Sequence, residues 1–232
     1  LHGNITANGL AGVNALATGD VNIDLGANTV ENTAGIGVGA EAGGNATVLG
    51  ADSTVTSLET GIFAAALSGD ATVDSGVVTS TNGSGVLAMA VGGDATITTH
   101  GKITADNGMY GAAAMSIGGA ATVTVNAAID PPTIGASAVS IGSGDATVTN
   151  NSDIEADFIG IAAANFGDGN VIVTNNGTVG AGTSPAPAFG ISTMKIGPGA
   201  TTITNAADAE VYALRAAVMA YAFDPDPAAG ND

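Results

Sequence analysis

Apolar and polar residues alternate in a short segment that recurs along the whole chain. In Gly-Asp-Ala-Thr-Val-Thr-Asn (144–150), Ala146 and Val148 share one phase, whereas Thr147 and Thr149 share the other. In the equivalent segments the apolar phase is held by Val48, Val73, Ile97, Val123, Val148, Val173 and Ile203. Alternation with a period of two predicts β-strands that have one face in a core and the other in solvent.

Three series of residues share one period of about 25 residues. The first series marks the turn before the alternating segment and consists of Asp20, Asn45, Asp70, Asp94, Ala120, Asp145, Asn170 and Ala200. The second is β-branched and consists of Ile5, Val30, Val55, Val78, Ile103, Ile129, Ile154, Val179 and Val211. The third is glycine, at positions 12, 35, 61, 85, 111, 135, 160 and 190. A shared period indicates one repeat array rather than separate domains.

Each repeat contains three short strand candidates separated by Gly, Asn or Asp turns, for example 146–149, 153–156 and 161–166. Because each unit is so short, it can bury an apolar face only if the chain coils. Each strand then pairs with its equivalent in the next repeat. The sequence therefore predicts an all-β protein, a single-domain parallel β-helix over residues 1–223. It has about nine coils of about 25 residues, with three short strands per coil in three parallel sheets.

Residue size suggests which phase of the third strand faces the core. Met89 and Val91 share one phase, and Met115 with Ile117 repeats it. The opposite phase carries small or polar residues, including Ser116. We expect the larger residues to point inward. We also expect the asparagine pairs 150–151 and 175–176 to stack at a corner and hydrogen-bond along the rod.

Composition and charge remove several classes of partner. The chain has 36 glycines, 3% aromatic residues and no Trp, a composition that suits a rod with a thin axis. It also has no Cys, which excludes disulfides and thiolate chemistry. The only basic residues are Lys102, Lys195 and Arg215, against 21 acidic ones, for a net charge of −18. This balance excludes nucleic acid and anionic lipid as electrostatic partners. No apolar run reaches the length of about 18 residues that membrane insertion requires.

Departures from the period are local. Residues 130–133 replace a corner, and residues 180–189 insert about five residues between the second and third strands. Both read as surface loops, where solenoids often carry specific contacts. Residues 206–223 have helical spacing in part, but the likeness of 204–210 to 149–155 favours a final coil. Residues 224–232, rich in Pro and Asp, form a tail or linker.

The repeats resemble the passenger regions of bacterial autotransporters and related large surface adhesins. The resemblance is carried by Gly-Gly-Asp-Ala-Thr-Ile (92–97), by 144–150 and by Val-Thr-Asn-Asn-Gly-Thr-Val (173–179), and it covers nearly the whole chain. It implies a right-handed parallel β-helix, exported and displayed outside a bacterial cell. Function is implied less specifically, because the same architecture hosts adhesins, matrix fibres and some enzymes.

Candidate catalytic groups are sparse. Asp153 and Glu155 lie two residues apart on an outward face, as do Asp208 and Glu210, and solvated surface charge is the simpler explanation of both pairs. His100 lies in a turn and has neither a neighbouring His nor a Cys in sequence. The three cationic residues belong to different coils. We therefore expect no catalytic activity and no cofactor.

Calcium is the one metal that the sequence suggests. Asp70 and Asp94 should stack in adjacent coils, with Asp20 and Asp145 further along the same row. Stacked carboxylates repel unless a cation bridges them, and Ca²⁺ prefers six to eight oxygen ligands. The competing interpretation is that each Asp is a turn residue bonded to nearby backbone. Asp168, Asp224 and Asp226 are weaker candidates.

A non-catalytic extracellular structural or adhesive solenoid is the function that these observations favour, either an adhesin passenger or the subunit of a surface filament. Its unpaired end strands predict end-to-end self-association, while the negative charge discourages sideways clumping. Host or cell-surface glycans and proteins are the other expected partners. Two alternatives stay open: a calcium-linked β-helix that binds or degrades carbohydrate, and an ice-binding solenoid with outward Thr-x-Thr rows.

Overall fold

A computed structural model describes residues 1–131, 133–180 and 186–224, and its regular elements are all β-strands. In chain order the strands are β1 (Ile5–Ala7), β2 (Ala11–Ala17), β3 (Val21–Asp24), β4 (Thr29–Asn32), β5 (Ile36–Ala42), β6 (Ala46–Ser57), β7 (Ile62–Ala66), β8 (Ala71–Ser80), β9 (Val86–Val91), β10 (Ala95–Thr99), β11 (Ile103–Ala105), β12 (Tyr110–Ile117), β13 (Ala121–Val125), β14 (Ile129–Asp130), β15 (Ile134–Ile141), β16 (Ala146–Asn150), β17 (Ile159–Phe166), β18 (Val171–Asn175), β19 (Thr178–Val179), β20 (Phe189–Ile196), β21 (Thr201–Asn205), β22 (Glu210–Val211) and β23 (Ala216–Phe223).

The strands stack in parallel, each on its equivalent in the next coil. The third strands of the repeats form a nine-stranded sheet in the order β2-β5-β7-β9-β12-β15-β17-β20-β23. The first strands form the path β3-β6-β8-β10-β13-β16-β18-β21 of a 12-stranded sheet. The prediction of a nine-coil parallel β-helix is confirmed.

The three strands of a coil are unequal in length. In the early coils β6 and β8 run through both the first and second strand positions, with a register shift between Gly50 and Thr54. In later coils the second strand shrinks to short pairs such as β11–β14 and β19–β22, or to single bridges at Ile154. The first and second strands of the coil therefore belong to one sheet for part of the rod, whereas the sequence predicted three separate sheets.

The core is a column of small apolar side chains along the axis. Val48, Val73, Ile97, Val123, Val148 and Val173 of the first strands are fully buried. Val55, Ile103 and Ile154 of the second strands are also fully buried, while the alternating threonines are half-buried or exposed. The predicted inward phases of these two strands are confirmed.

The glycine series of the third strand is required by space. A Cβ at Gly85 would lie 2.3 Å from Cγ2 of Ile103 and 2.6 Å from the carbonyl oxygen of Gly111 in the next coil. Glycines of the following corner are required by conformation instead, with φ of 92° at Gly92 and 99° at Gly118. The coils that contain β9 and β12 therefore use glycine for two different physical reasons.

The irregular segments are integrated into the rod where they can be described. Residues 206–223 form a final coil through β22 and β23, as predicted. At the 130–133 corner, Asp130 ends β14 and Pro131 is buried, while Pro132 lies outside the described residues. Of the 180–189 insertion, 181–185 lie outside the described residues, and Phe189 begins β20. Of the 224–232 tail, only Asp224 is described.

Candidate functional site

The turn-position Asp and Asn residues form a side-chain ladder along one corner of the rod. Each Oδ1 accepts a hydrogen bond from the backbone N–H of the equivalent residue one coil later. The ladder runs from Asp20 to Asn45 (2.8 Å), Asn45 to Asp70 (2.9 Å), Asp70 to Asp94 (2.9 Å), Asp94 to Ala120 (2.8 Å), Asp145 to Asn170 (2.7 Å) and Asn170 to Ala200 (2.9 Å). These bonds give the four candidate calcium ligands a structural role at the start of the first strands.

The ladder geometry favours the turn interpretation over a carboxylate cage. One oxygen of Asp20, Asp70, Asp94 and Asp145 is already engaged by a backbone N–H. Among the described residues, no group of three or more His, Cys, Asp or Glu side chains is arranged to hold a metal ion. Calcium binding at this corner stays a prediction.

The candidate catalytic groups are dispersed over the rod. Asp153 is exposed and Glu155 half-buried on either side of the buried Ile154. At the second pair, Glu210 accepts a 2.8 Å hydrogen bond from the hydroxyl of Tyr212, which raises the pKa of that phenol. His100 Nε2 lies 2.8 Å from Asp74 Oδ1, and Lys102 Nζ lies 3.5 Å from Asp130 Oδ2.

An acidic groove, which the sequence analysis did not single out, lies near the His100–Asp74 pair. Asp24, Asp52 and Asp74 line this groove of about 240 Å³. The signal in the sequence is weak, since Asp24 and Asp74 occupy the same register position two coils apart with Leu49 between them. Hydrogen bonding within the groove is local, with Asp24 Oδ1 accepting from the N–H of Gly26.

Thr-x-Thr segments stack in register on the outward side of the first strands. The pairs Thr96/Thr98, Thr122/Thr124 and Thr147/Thr149 align residue for residue across β10, β13 and β16. The columns continue through Ile172/Thr174 to Thr202/Thr204. The predicted regular threonine array is therefore present, with isoleucine as its one substitution over these five coils.

On the third strand, the residues predicted to face the core point to solvent, and those of the opposite phase are buried. Ala114 and Ser116 are buried, whereas Met89 is 37% and Ile117 is 42% exposed. Alanine occupies the inward Ala114 position in eight of the nine third strands, whereas the first inward position admits larger residues such as Ile161 and Ile191, which are fully buried. The methionine phase therefore points outward, and the expectation that its larger residues face the core is wrong.

The outward residues form an apolar surface, which we call the apolar face. It consists of three columns over β9, β12, β15, β17, β20 and β23. Column I is Leu87, Ala113, Ser137, Ala162, Ser192 and Met219; column II is Met89, Met115, Val139, Ala164, Met194 and Tyr221; column III is Val91, Ile117, Ile141, Phe166, Ile196 and Phe223. No charged residue belongs to these columns. A groove of about 220 Å³ runs where Ala113 and Ser137 lie beside Met115 and Val139.

The inward column next to columns II and III binds the backbone of a corner. Ser116 Oγ donates to the carbonyl of Gly93 (2.6 Å), and Asn165 Nδ2 donates to that of Gly144 (2.7 Å). The single hydroxyl proton of Ser140 lies between two carbonyl acceptors, those of Gly144 (2.6 Å) and Gly119 (2.9 Å). Lys195 follows Asn165 in register, and its Nζ donates to the carbonyls of Gly167 and Ile196. The column supplies hydrogen-bond donors to the carbonyl groups of partly buried corner residues.

Lys195 is a cation enclosed by the fold, since the residue is only 1% exposed. Burial lowers the pKa of its ammonium group, and the charges of Asp168 and Asp224 oppose that change. Nothing in the sequence marked Lys195 as internal, because lysine at an alternating position is normally assigned to the solvent side.

Asparagine side chains form two further ladders at the corner after the first strand, as predicted. In the inner ladder, Asn150 Nδ2 donates to Asn175 Oδ1 (2.8 Å) and Asn175 Nδ2 donates to Asn205 Oδ1 (2.7 Å). In the outer ladder, Asn176 Nδ2 donates to Asn151 Oδ1 (2.8 Å) and Asn151 Nδ2 to Asn126 Oδ1 (2.9 Å). These amides bind successive coils to each other.

The terminal coils leave inward positions open. In β23, Val218 is 50% exposed, although its register partner Ile191 in β20 is fully buried. At the other end Val13 of β2 is half-buried, whereas its partner Val38 is fully buried. A further coil stacked on either end would cover these residues.

Comparisons of the chain with models of protein families, with curated proteins and with solved structures give no match. The resemblance to autotransporter passengers therefore stays a prediction from the repeats. Over the described ranges, the structure contains no helix long and apolar enough to cross a membrane.

Proposed function

We propose that the protein is a non-catalytic structural or adhesive β-solenoid of the bacterial cell surface, an adhesin passenger or the subunit of a surface filament. The observation that carries the proposal is the open stacking surface at the terminal coils. At these coils Val218 and Val13 lose the burial that their partners have one coil further in. Exposed parallel strand edges above half-covered apolar residues favour the addition of another coil.

Repetition supports the same function. The Asp/Asn ladder, the asparagine ladders and the backbone pairing all run along the axis, so a coil added at an end extends contacts that already exist. The added coil belongs either to more of the same chain or to a second copy. The outward threonine columns present a repeated polar surface along the rod, on which host or cell-surface glycans and proteins are the proposed partners.

End-to-end growth is tested by electron microscopy and sedimentation of the chain as it stands. Nine strands spaced by about 4.8 Å make one rod roughly 40 Å long. We expect longer rods whose fraction increases with protein concentration. Only single short rods at every concentration would contradict the filament proposal.

A matched pair of variants locates the growing surface. Val218→Asp places a carboxylate on the stacking surface, where a second rod would bury it, and we expect it to stop elongation. Thr202→Asp adds the same charge to the same coil on its outward side, where Thr202 is exposed. We expect this control to elongate like the wild type, and equal loss in both variants would overturn the assignment to the end surface.

Ice binding is the second candidate function, and the in-register Thr-x-Thr array favours it. The paired columns repeat with the strand spacing of about 4.8 Å over several coils, which is a regular lattice of hydroxyl and methyl groups. Replacing Thr122 and Thr147 by glutamate interrupts that lattice at its centre. Thermal hysteresis lost in this variant would support the function; a wild type without hysteresis or crystal shaping would exclude it.

A further inference from the structure

We infer that the apolar face is a lateral docking surface for the apolar face of a second copy of this chain. The inference goes beyond end-to-end assembly, because it uses a different surface and joins rods side by side. It also revises the expectation that negative charge keeps the rods apart sideways.

The apolar face is unusual in both exposure and content. Met89, Val91, Ile117 and Met194 are each between 37% and 44% exposed in β9, β12 and β20. Methionine is concentrated there, since four of the five in the chain, at 89, 115, 194 and 219, lie in columns I and II. Contiguous exposed apolar surface of this kind marks interaction sites in soluble proteins, and methionine adapts to an opposing surface.

The distribution of charge indicates which partner binds the apolar face. The chain carries a net charge of −18, yet the outward positions of the last six third strands contain no charged residue. Two copies paired through this face keep their acidic side chains outside the three columns, with Asp168 and Asp224 at the margin beyond Phe166 and Phe223. A partner recognised by charge finds no complementary group within the three columns.

The area suits a weak, reversible pair. Six strands at about 4.8 Å span about 29 Å, and three columns with their margins span about 20 Å, which gives about 600 Å² per copy. The total of about 1,200 Å² is at the lower limit of specific interfaces. The groove beside Ala113 and Ser137 offers space for a side chain of the opposite copy. A flat face that meets its own copy forms a closed pair.

Ionic strength provides the first test. Like-charged rods repel over about 30 Å at 0.01 M salt but over only a few ångströms near 1 M. Sedimentation velocity from 5 to 200 µM protein should therefore show side-by-side pairs that become more abundant between 0.02 and 0.5 M NaCl. Association through ion pairs would weaken over the same range. Absence of pairing at every salt and protein concentration would overturn the inference.

Variants separate this face from the ends of the rod. Met115→Glu with Ile141→Glu places two charges at the centre of the face, and we expect at least a tenfold loss of pairing. Thr122→Glu with Thr147→Glu adds the same charge on the threonine side of nearby coils and should pair like the wild type. Circular dichroism and thermal melting check that both variants fold. A milder variant, Met115→Ser with Ile141→Ser, removes the apolar contact without adding charge and should also weaken pairing.

The remaining outcomes are distinguishable. Pairing that survives Met115→Glu with Ile141→Glu assigns association to another surface. End-to-end rods in that variant, with side-by-side pairs lost, would support both this inference and the proposed function. Side-by-side pairs that persist in Val218→Asp while elongation stops would show that the two surfaces act separately. A wild type that stays monomeric but binds neutral phosphatidylcholine vesicles through Met115 and Ile141 would assign the face to lipid and overturn pairing.

Discussion

Asp94 Oδ1 accepts a 2.8 Å hydrogen bond from the backbone N–H of Ala120, one coil further along the rod. The same relationship joins Asp70 to Asp94 one coil earlier. Asp70 and Asp94 thus each donate through the backbone N–H to the coil before and accept through Oδ1 from the coil after. The ladder is continuous while an Asp or Asn occupies the turn position.

Loss of the Asp94 acceptor should destabilise the rod. Asp94→Ala leaves the N–H of Ala120 without its side-chain acceptor, which should cost about 1 kcal/mol of unfolding free energy. Asp94→Asn keeps an Oδ1 at the same place and should cost much less. Urea unfolding of the two variants measures the difference, and equal losses would show that charge, not the hydrogen bond, matters at this corner.

Ala120 interrupts the ladder, and an acceptor there should repair it. Ala120→Asn places an Oδ1 where Asp94 and Asp145 have theirs, in reach of the N–H of Asp145. Gly144 precedes Asp145 as Gly119 precedes Ala120, and a Cβ at Gly119 would lie 2.5 Å from the Oδ1 of Asp94. We expect a gain of about 1 kcal/mol in unfolding free energy. Ala120→Ser, whose hydroxyl is shorter, is the control, and a destabilised asparagine variant would contradict the ladder's role.

Calcium should not be needed for the stability of this corner, because Asp70 and Asp94 already bond backbone N–H groups through one oxygen each. We expect the melting temperature to be the same with 5 mM CaCl₂ and with a chelator. Magnesium at equal ionic strength controls for screening of the negative charge. A rise of several degrees specific to calcium, absent from Asp70→Asn with Asp94→Asn, would establish the predicted metal site.

Gly135 should tolerate no side chain. A Cβ there would lie 2.2 Å from Cγ2 of Ile154 and 2.4 Å from the carbonyl oxygen of Gly160. Gly135→Ala should therefore lower the unfolding free energy by about 3 kcal/mol. At Gly19, by contrast, a Cβ meets no atom within 4 Å, so Gly19→Ala should be near neutral. Similar stability of the two variants would refute the close packing of the third strand.

Lys195 should make stability depend on alkaline pH. Its pKa is lowered by burial, so the folded chain binds fewer protons than the unfolded chain between that lowered pKa and the ordinary value of 10.5. The unfolding free energy of the wild type should therefore rise, relative to Lys195→Gln, as pH increases from 8 to 10.5. A difference that stays constant over that range would mean that Lys195 is solvated.

The repeat period, the parallel register and the facing of the first two strands could all be predicted from the sequence. In those strands Val48 or Ile103 alternates with threonine, so hydrophobicity distinguishes the two phases. The asparagine ladders were also predictable, because Asn150 and Asn175 recur one period apart. The sequence placed the candidate calcium ligands correctly in one row along the rod. Their hydrogen bonds to backbone N–H groups could not be predicted, because these depend on the distance between coils.

The coiling period of about 25 residues and the direction of valine and isoleucine to the axis in the first and second strands follow from the amino-acid sequence alone. The facing of the third strand could not be obtained in this way, because residue size favours the methionine phase as the inward one, whereas packing places Met89 outward and Lys195 inward. At the inward Ala114 position alanine occupies eight of the nine third strands, and at the Ser116 position the polar side chains, including that of Lys195, hydrogen-bond to corner carbonyls. The larger residues at Met115 and Ile117 therefore lie on the outward phase, where they form the apolar face.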